Sequence, residues 1–221
     1  MKKILFLIPA FLLAFQISKA QTEKGTQTLG VNLNFSYQKS DNLSINPSDH
    51  STQTLLDKHT LFGVAPTYSY FIANKLDAGA TLGYDYQKFD NSDQSYPQKR
   101  RQHDYSASVF LRKYFMYNDK FGIRTGPYLT YARYDSKDTY PISASINDNI
   151  SKSDSYVTGV NLGLVYYPSK CLGVAVTLAD VSYNHNKTNN GANGHGTSDN
   201  VNFNFISNNL GLSVFYVFGT K

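Results

Sequence analysis

The feature that most constrains this chain is an alternation within an alternation. Apolar and polar residues alternate over short stretches, and those stretches are joined by short and long connections in turn. Phe62 to Tyr86 is the clearest unit. Phe62, Val64, Pro66, Tyr68 and Tyr70 share one parity, against Gly63, Ala65, Thr67 and Ser69. After a turn at about Phe71 to Lys75, Leu76, Ala78, Ala80, Leu82, Tyr84 and Tyr86 alternate with Asp77, Gly79, Thr81, Gly83 and Asp85. A side-chain period of two is the signature of a strand with two unlike faces. Soluble sandwiches show it too, so the neighbouring segments must decide.

Four further patterns repeat it. Thr28 to Tyr37 sets Leu29, Val31, Leu33, Phe35 and Tyr37 against Gly30, Asn32, Asn34 and Ser36. Asparagines in mid-strand fit a wet interior better than a dry core, because buried amides need partners. His103 to Tyr134 and Tyr156 to Tyr183 form two more hairpins, with turns at Met116 to Lys120 and Pro168-Ser169-Lys170. The last strand ends in Leu210, Leu212, Val214, Tyr216 and Phe218 on one face, with Val201, Phe203 and Phe205 on the opposite parity. That switch predicts a bulge near Ser207, and a shift after Asp180 predicts another. The long connections are polar: about Gln38 to His59, Gln87 to Gln102, Asp135 to Ser155 and Asn184 to Asn200.

Eight strands with all long loops at one end predict an all-β, eight-stranded antiparallel up-and-down transmembrane β-barrel. Short periplasmic turns and longer extracellular loops are the pattern of outer-membrane barrels. Aromatics bracket the strands as girdles would: Tyr70, Phe71, Phe115, Phe121, Tyr166, Tyr216 and Phe218 at one end, Tyr37, Phe62, Tyr84, Tyr105, Tyr131 and Tyr156 at the other. Pro66 and Pro127 run against the pattern, since proline donates no ladder hydrogen bond. A local bulge or a widened strand pair is expected at each.

Residues 1–20 read as a signal peptide: Lys2 and Lys3, an apolar run Ile4 to Phe15, and Ser18-Lys19-Ala20 before the cut. The barrel domain is then residues 21–221. With Lys2, Lys3 and Lys19 removed, 18 basic residues face 16 acidic ones, a net charge of +2 in place of +5. Nucleic-acid binding loses its compositional support. The mean hydropathy of −0.40 is no argument against a membrane, because a barrel strand needs only about ten alternating residues and its lumen face is polar. Cys171 is alone, so the chain has no internal disulfide framework.

APTYSYFIANKLDAGATLGY, SVFLRKYF and GLSVFYVF carry a resemblance to the small eight-stranded outer-membrane barrels of the OmpA/OmpX-like kind. The resemblance implies a cell-outer-membrane location and a structural or surface-interaction role rather than an enzyme. It implies outer-membrane lipids as surroundings, a monomer, and an extracellular ligand met through the loops. It also makes Gly211, Val214, Tyr216 and Phe218 an assembly signal for the barrel-assembly machinery. A Gly-Thr-Lys tail after Phe218 departs from that pattern.

Charged residues at inward positions are the candidate site. Asp77, Arg112 and Arg124 should meet at the short-turn end on adjacent strands. An eight-stranded interior is narrow enough for side chains to fill, so they are expected to plug the lumen; a selectivity constriction in a small pore or ligand-binding barrel is the alternative. The five histidines map to loops or strand ends without metal-ligand spacing. His185 and His195, with Asp180 and Asp199, are the set to check. Ser182, His185 and Asp180 could be cast as the triad of a lipid-modifying enzyme, if geometry joined them. Lys99-Arg100-Arg101 could meet lipopolysaccharide phosphates. No cofactor or metal is expected.

Overall fold

A computed structural model describes residues 21–45, 52–91, 98–142, 145–189, 194–205 and 212–219. The signal-peptide expectation, Ser207 and Gly211 lie outside the described residues. The strands are β1 (Gln27–Ile45), β2 (Thr52–Ala73), β3 (Leu76–Asn91), β4 (Gln98–Met116), β5 (Phe121–Ile142), β6 (Ser145–Tyr166), β7 (Leu172–Asn189), β8 (His195–Phe205) and β9 (Leu212–Phe218). Each of β1 to β7 pairs antiparallel with the next, and β9 pairs with both β7 and β1. The sheet therefore closes into an eight-position ring. β8 and β9 together occupy the eighth position along β7.

The ring is not evenly zipped. β1 pairs with β9 from Gln27 to Asn32. Beyond that, β8 is bonded to β7 only, and among the described residues no pairing joins β8 to β1.

The barrel is inside out relative to a soluble protein. Leu33, Phe35, Leu82, Val109, Leu129 and Val160 are all more than half exposed on the outer wall, whereas Asp77 is fully buried. On β5 the apolar outer face runs from Phe121 to Tyr131. Eleven residues give about 36 Å of strand, or roughly 28 Å of height at a tilt near 40°. That matches a hydrocarbon band. At its upper border Tyr84 pairs with Tyr105, and Tyr131 with Tyr156. Their ring centroids lie 5.4 and 5.3 Å apart. Border hydroxyls are bonded to polar groups: Tyr131 donates to Asp154 at 2.7 Å and Tyr183 to Asp199 at 2.6 Å. An aromatic ring with one apolar side and one bonded hydroxyl suits a lipid–water boundary.

Three expectations need correction and a fourth is narrowed. The long polar connections are mostly strand: β1 and β2 pair out to Ile45 and Thr52, and β5 and β6 out to Ile142 and Ser145. Above the apolar belt both faces of the sheet meet water, so the ladder persists while the period-two hydrophobic signal disappears. Phe71 is not a girdle residue; it is fully buried inside the barrel floor. The β7 irregularity lies at Leu178, between the pairs Leu162–Ala179 and Gly163–Thr177, two residues before Asp180. It returns Val181 and Tyr183 to the outer face after Val174 and Val176.

Of the two outcomes expected at the prolines, a bulge or a widened strand pair, the bulge is absent and the ladder is interrupted instead. The β2–β3 ladder skips Ala65 and Pro66 and resumes at Thr67–Thr81 in the same register. The β4–β5 ladder skips Leu111 and Arg112 opposite Pro127 and Gly126, again in unchanged register. Each proline lacks partners on one side only: Pro66 still pairs with Val31, and Pro127 with Val160. An interrupted ladder accommodates the missing donor. At the second site the backbones are close: a Cβ on Gly126 would lie 1.8 Å from the Leu111 carbonyl oxygen. Only glycine fits there.

Candidate functional site: the floor of the lumen

The short-turn end of the barrel interior is filled in two layers. The lower layer is apolar: Phe71, Tyr114, Val165, Tyr167, Ala175, Phe215 and Val217 form one buried cluster, with Met116 against it. Inward parity along β2, β4, β6, β7 and β9 delivers these side chains to one place. Tyr167 and Phe215 meet edge to face at 5.7 Å, the favoured geometry for aromatic pairs. The stretch preceding β1 closes the rim below. Lys75 N–H donates to the Thr22 carbonyl at 2.6 Å, and Gly25 N–H to the Phe71 carbonyl at 2.9 Å. Lys75 holds φ +62° in the β2–β3 turn, the left-handed region that a tight hairpin turn uses.

The upper layer is polar and built around Asp77. Arg112 donates Nε to Oδ1 at 3.1 Å and Nη2 to Oδ2 at 2.5 Å. Ser69 Oγ donates to Oδ2 at 2.7 Å, and the Tyr114 hydroxyl donates to the same oxygen at 3.1 Å. Thr28 and Ser69 share a 2.7 Å hydrogen bond. Ser69 spends its proton on Asp77, so Thr28 is the donor. Four donors from three side chains saturate the carboxylate, and a bidentate arginine is the geometry that makes a buried charge tolerable. The Arg112 guanidinium also sits 3.9 Å from the centroid of the Phe110 ring.

Arg124 lies beside this network but makes no ion pair with Asp77; the Tyr114 hydroxyl is the neutral group that acts favourably on it. Asp77, Arg112 and Arg124 thus share one end of the lumen, with a tyrosine between the third residue and the other two. Sequence reasoning missed Ser69, Tyr114 and Thr28. Their inward parity was readable, but an uncharged hydroxyl on a strand carries no signal of its own until register brings it to a charge.

Above the floor lies a cavity of about 270 Å³, lined by Arg112, Tyr114 and Arg124 below and by Thr81, Ser108 and Asn161 among others higher up. Higher still, between β4–β5 and β6–β8, a polar vestibule of about 580 Å³ is lined by Arg100, Tyr134, Asn184 and Asn186 among others.

The other candidate groups do not assemble. Ser182 and Asp180 lie on the lumen parity of β7, whereas His185 is on the outer parity, so no triad forms. Asp180 accepts the Tyr128 hydroxyl at 2.8 Å, and His185 Nδ1 lies 2.8 Å from Asp199. Among the described residues no cluster of histidine, cysteine and carboxylate groups could hold a metal. The basic run is split by strand parity. Arg100 turns inward and clamps Asp138 at 2.6 and 3.2 Å, while Lys99 and Arg101 face out.

The Asp199 carboxyl is held below the usual carboxylate range by the hydrogen bond from Tyr183 and, next, by the one to His185. Val214 and Tyr216 are exposed on the outer wall of β9, and Phe218 is half-buried at its end.

No family model matches the chain, and no curated protein matches it. Among solved structures it is similar to the outer membrane protein OprG from Pseudomonas aeruginosa, at 13% identity over 90% of this chain and 98% of that one, with a TM-score of 0.45. It is similar to Ail, the attachment invasion locus protein of Yersinia pestis, at 15% identity over 88% and 99%, with a TM-score of 0.42. A major outer membrane protein from Thermus thermophilus follows at 11% identity over 87% and 99%, with a TM-score of 0.44. Function has to be read from the chain's own residues: an eight-position barrel, apolar outside, with a saturated carboxylate in the floor of its lumen.

Proposed function

We propose that this protein is a monomeric outer-membrane barrel with a structural or surface-interaction role, closed at its periplasmic end and extended above the membrane at the other. A signal peptide cut after Ala20 delivers it, and Val214, Tyr216 and Phe218 on the terminal strand, with Gly211, present it to the barrel-assembly machinery. It is not an enzyme. The observation that carries the reading is the pairing of an apolar exterior with a floor in which Asp77 is saturated by donors and underlain by a buried aromatic cluster. A wall facing water would not expose Leu33, Phe35 and Leu82, and a pore would not spend its narrowest section on packed rings.

The working surface is the polar extension. Its inner wall carries short hydroxyls and amides, and its outer wall carries mixed charge: Lys88–Asp90 at 2.6 Å and Lys137–Asp148 at 2.7 Å. Lys99 and Arg101 lie on that outer wall, six and four residues beyond Tyr105, as the groups to pair with lipopolysaccharide phosphates. The vestibule supports the second reading, a binding barrel for an extracellular ligand.

Orientation tests the proposal. Single cysteines would replace the exposed residues Lys152 and Asn118 in a Cys171→Ser background. Intact cells would then be treated with a membrane-impermeant thiol reagent. Position 152 should label, and position 118 should stay protected until the cells are broken. The reverse pattern, or label at both, overturns it.

A further inference from the structure

The floor network leaves a charge unanswered. Asp77 carries one negative charge and is fully engaged: two hydrogen bonds from Arg112, one from Ser69 and one from Tyr114. Arg112 is therefore neutralised by its partner. Arg124, only 9% exposed, has no such partner among the described residues. The groups acting on it are Arg112, which repels it, the Tyr114 hydroxyl, and Asp77 at longer range. The Tyr114 hydroxyl offers Arg124 at most a neutral acceptor, and a guanidinium has five donors. Asp180, the next carboxylate facing the lumen, is held by Tyr128 and is not among the groups acting on Arg124.

A second polar group nearby is also unmet. Tyr167 lies just past the end of β6, and its buried hydroxyl has no hydrogen-bond partner among the described residues. The groups acting on Tyr167 belong to the same floor network: Tyr114, Arg124, Asp77 and Arg112. A cavity of about 270 Å³ opens directly over Arg112, Tyr114 and Arg124, lined beyond them by Thr81, Ser108 and Thr177, all donors, and by Asn161. Leaving a buried cation unpaired costs far more than leaving a neutral polar group so. Space, donors and an unanswered positive charge coincide.

We propose that this cavity is a binding site for a small inorganic anion, seated on Arg124 as the counter-charge that Asp77 cannot supply. The site is enclosed by the floor below. It goes beyond the structural reading, since a barrel plugged by a self-neutral network would need no ion. It does not depend on which side of a membrane the loops face, so the labelling pattern and the anion result can fail separately.

The test uses the full-length mature protein in detergent micelles and in crystals. Crystals soaked in sodium bromide should show an anomalous peak within hydrogen-bond distance of the Arg124 guanidinium, absent from Arg124→Met. In solution, chloride should raise the wild-type melting temperature by about 5 °C at saturation, the scale expected for a ligand well above its Kd on a barrel of this size. Arg124→Met should melt at or above the wild type in low-chloride buffer and lose the chloride dependence, because removing an unpaired buried cation relieves the demand that chloride meets. No bromide peak at Arg124, or an equal chloride response in the variant, overturns the proposal. If Arg124→Met fails to fold, the Tyr114→Phe variant stands in. It keeps the cation, removes its hydroxyl partner, and should show a chloride response at least as large as the wild type; a smaller one counts against the site.

Discussion

The two ends of the lumen are built on opposite principles. At the short-turn end, Asp77, Ser69 and Tyr114 are buried and hydrogen-bonded to one another, and aromatic rings fill the space beneath. At the far end Arg100 and Asp138 also form a bidentate pair, but the arginine side chain is 48% exposed and a wide vestibule surrounds it. Both aspartates are buried; the difference lies on the arginine, whose side chain is 11% exposed at Arg112 and 48% at Arg100. Ion pairs in one barrel can thus be an architectural necessity at one height and nearly dispensable at another.

Neutralising the acid at each end should separate the two most clearly. Asp77→Leu leaves two buried guanidinium groups with no carboxylate and should cost about 3–5 kcal/mol. Asp138→Leu should cost under about 1 kcal/mol, since its partner can turn to solvent. Urea unfolding followed by circular dichroism reads both. Equal losses would mean that the two ends are equally dry.

The outer wall gives the next largest contrast. Leu82→Arg, in the middle of the apolar belt, should cost about 2–4 kcal/mol in lipid. Thr197→Arg, on the same face but above the belt, should cost almost nothing. Unfolding from vesicles measures the pair, and a well-tolerated Leu82→Arg would mean that this wall does not face lipid.

A smaller effect belongs to the backbone. Gly126→Ala must push the Leu111 carbonyl aside and should cost about 1–3 kcal/mol. Gly196→Ala, where nothing lies within 4 Å of the added carbon, should be neutral. Thermal melts of the two variants in one detergent make the comparison, and equal melting temperatures would mean that the Leu111 strand yields freely.

The smallest effect is a titration. Asp199 is depressed by Tyr183 first and His185 second. A carboxyl with a lowered folded-state pKa stabilises above its unfolded value, and that contribution fades as pH falls through the folded one. Because Asp199 is exposed, the change in stability should be slight and the shift itself the better readout. Tyr183→Phe should return Asp199 toward an ordinary aspartate in a carbon-detected NMR titration.

How much of this was legible in the sequence depends on height in the barrel. Within the apolar belt, period two determines which residues face lipid, and Leu82 and Asp77 could be assigned by parity alone. Above it the signal vanishes because both faces are wet, so β1 beyond Tyr37 and most of β6 before Tyr156 read as loops although they pair as strand. Phe71 misled for a related reason: aromatic character marks girdles and floors alike, and only its parity separates them. Asp77, Arg112 and Arg124 were visible as inward charges. That Arg124 stops at Tyr114 was not, because it depends on how one carboxylate distributes four donors. The prolines were visible as an obstacle; that the ladder would be interrupted with its register unchanged was not.

Whether the floor closes the lumen can be read by single-channel recording of the purified mature protein in planar bilayers. The wild type should insert without steady conductance. Openings should come only when the floor is dismantled, as in Tyr114→Ala combined with Phe215→Ala. A stable, ion-selective conductance from the unaltered protein would contradict a closed floor.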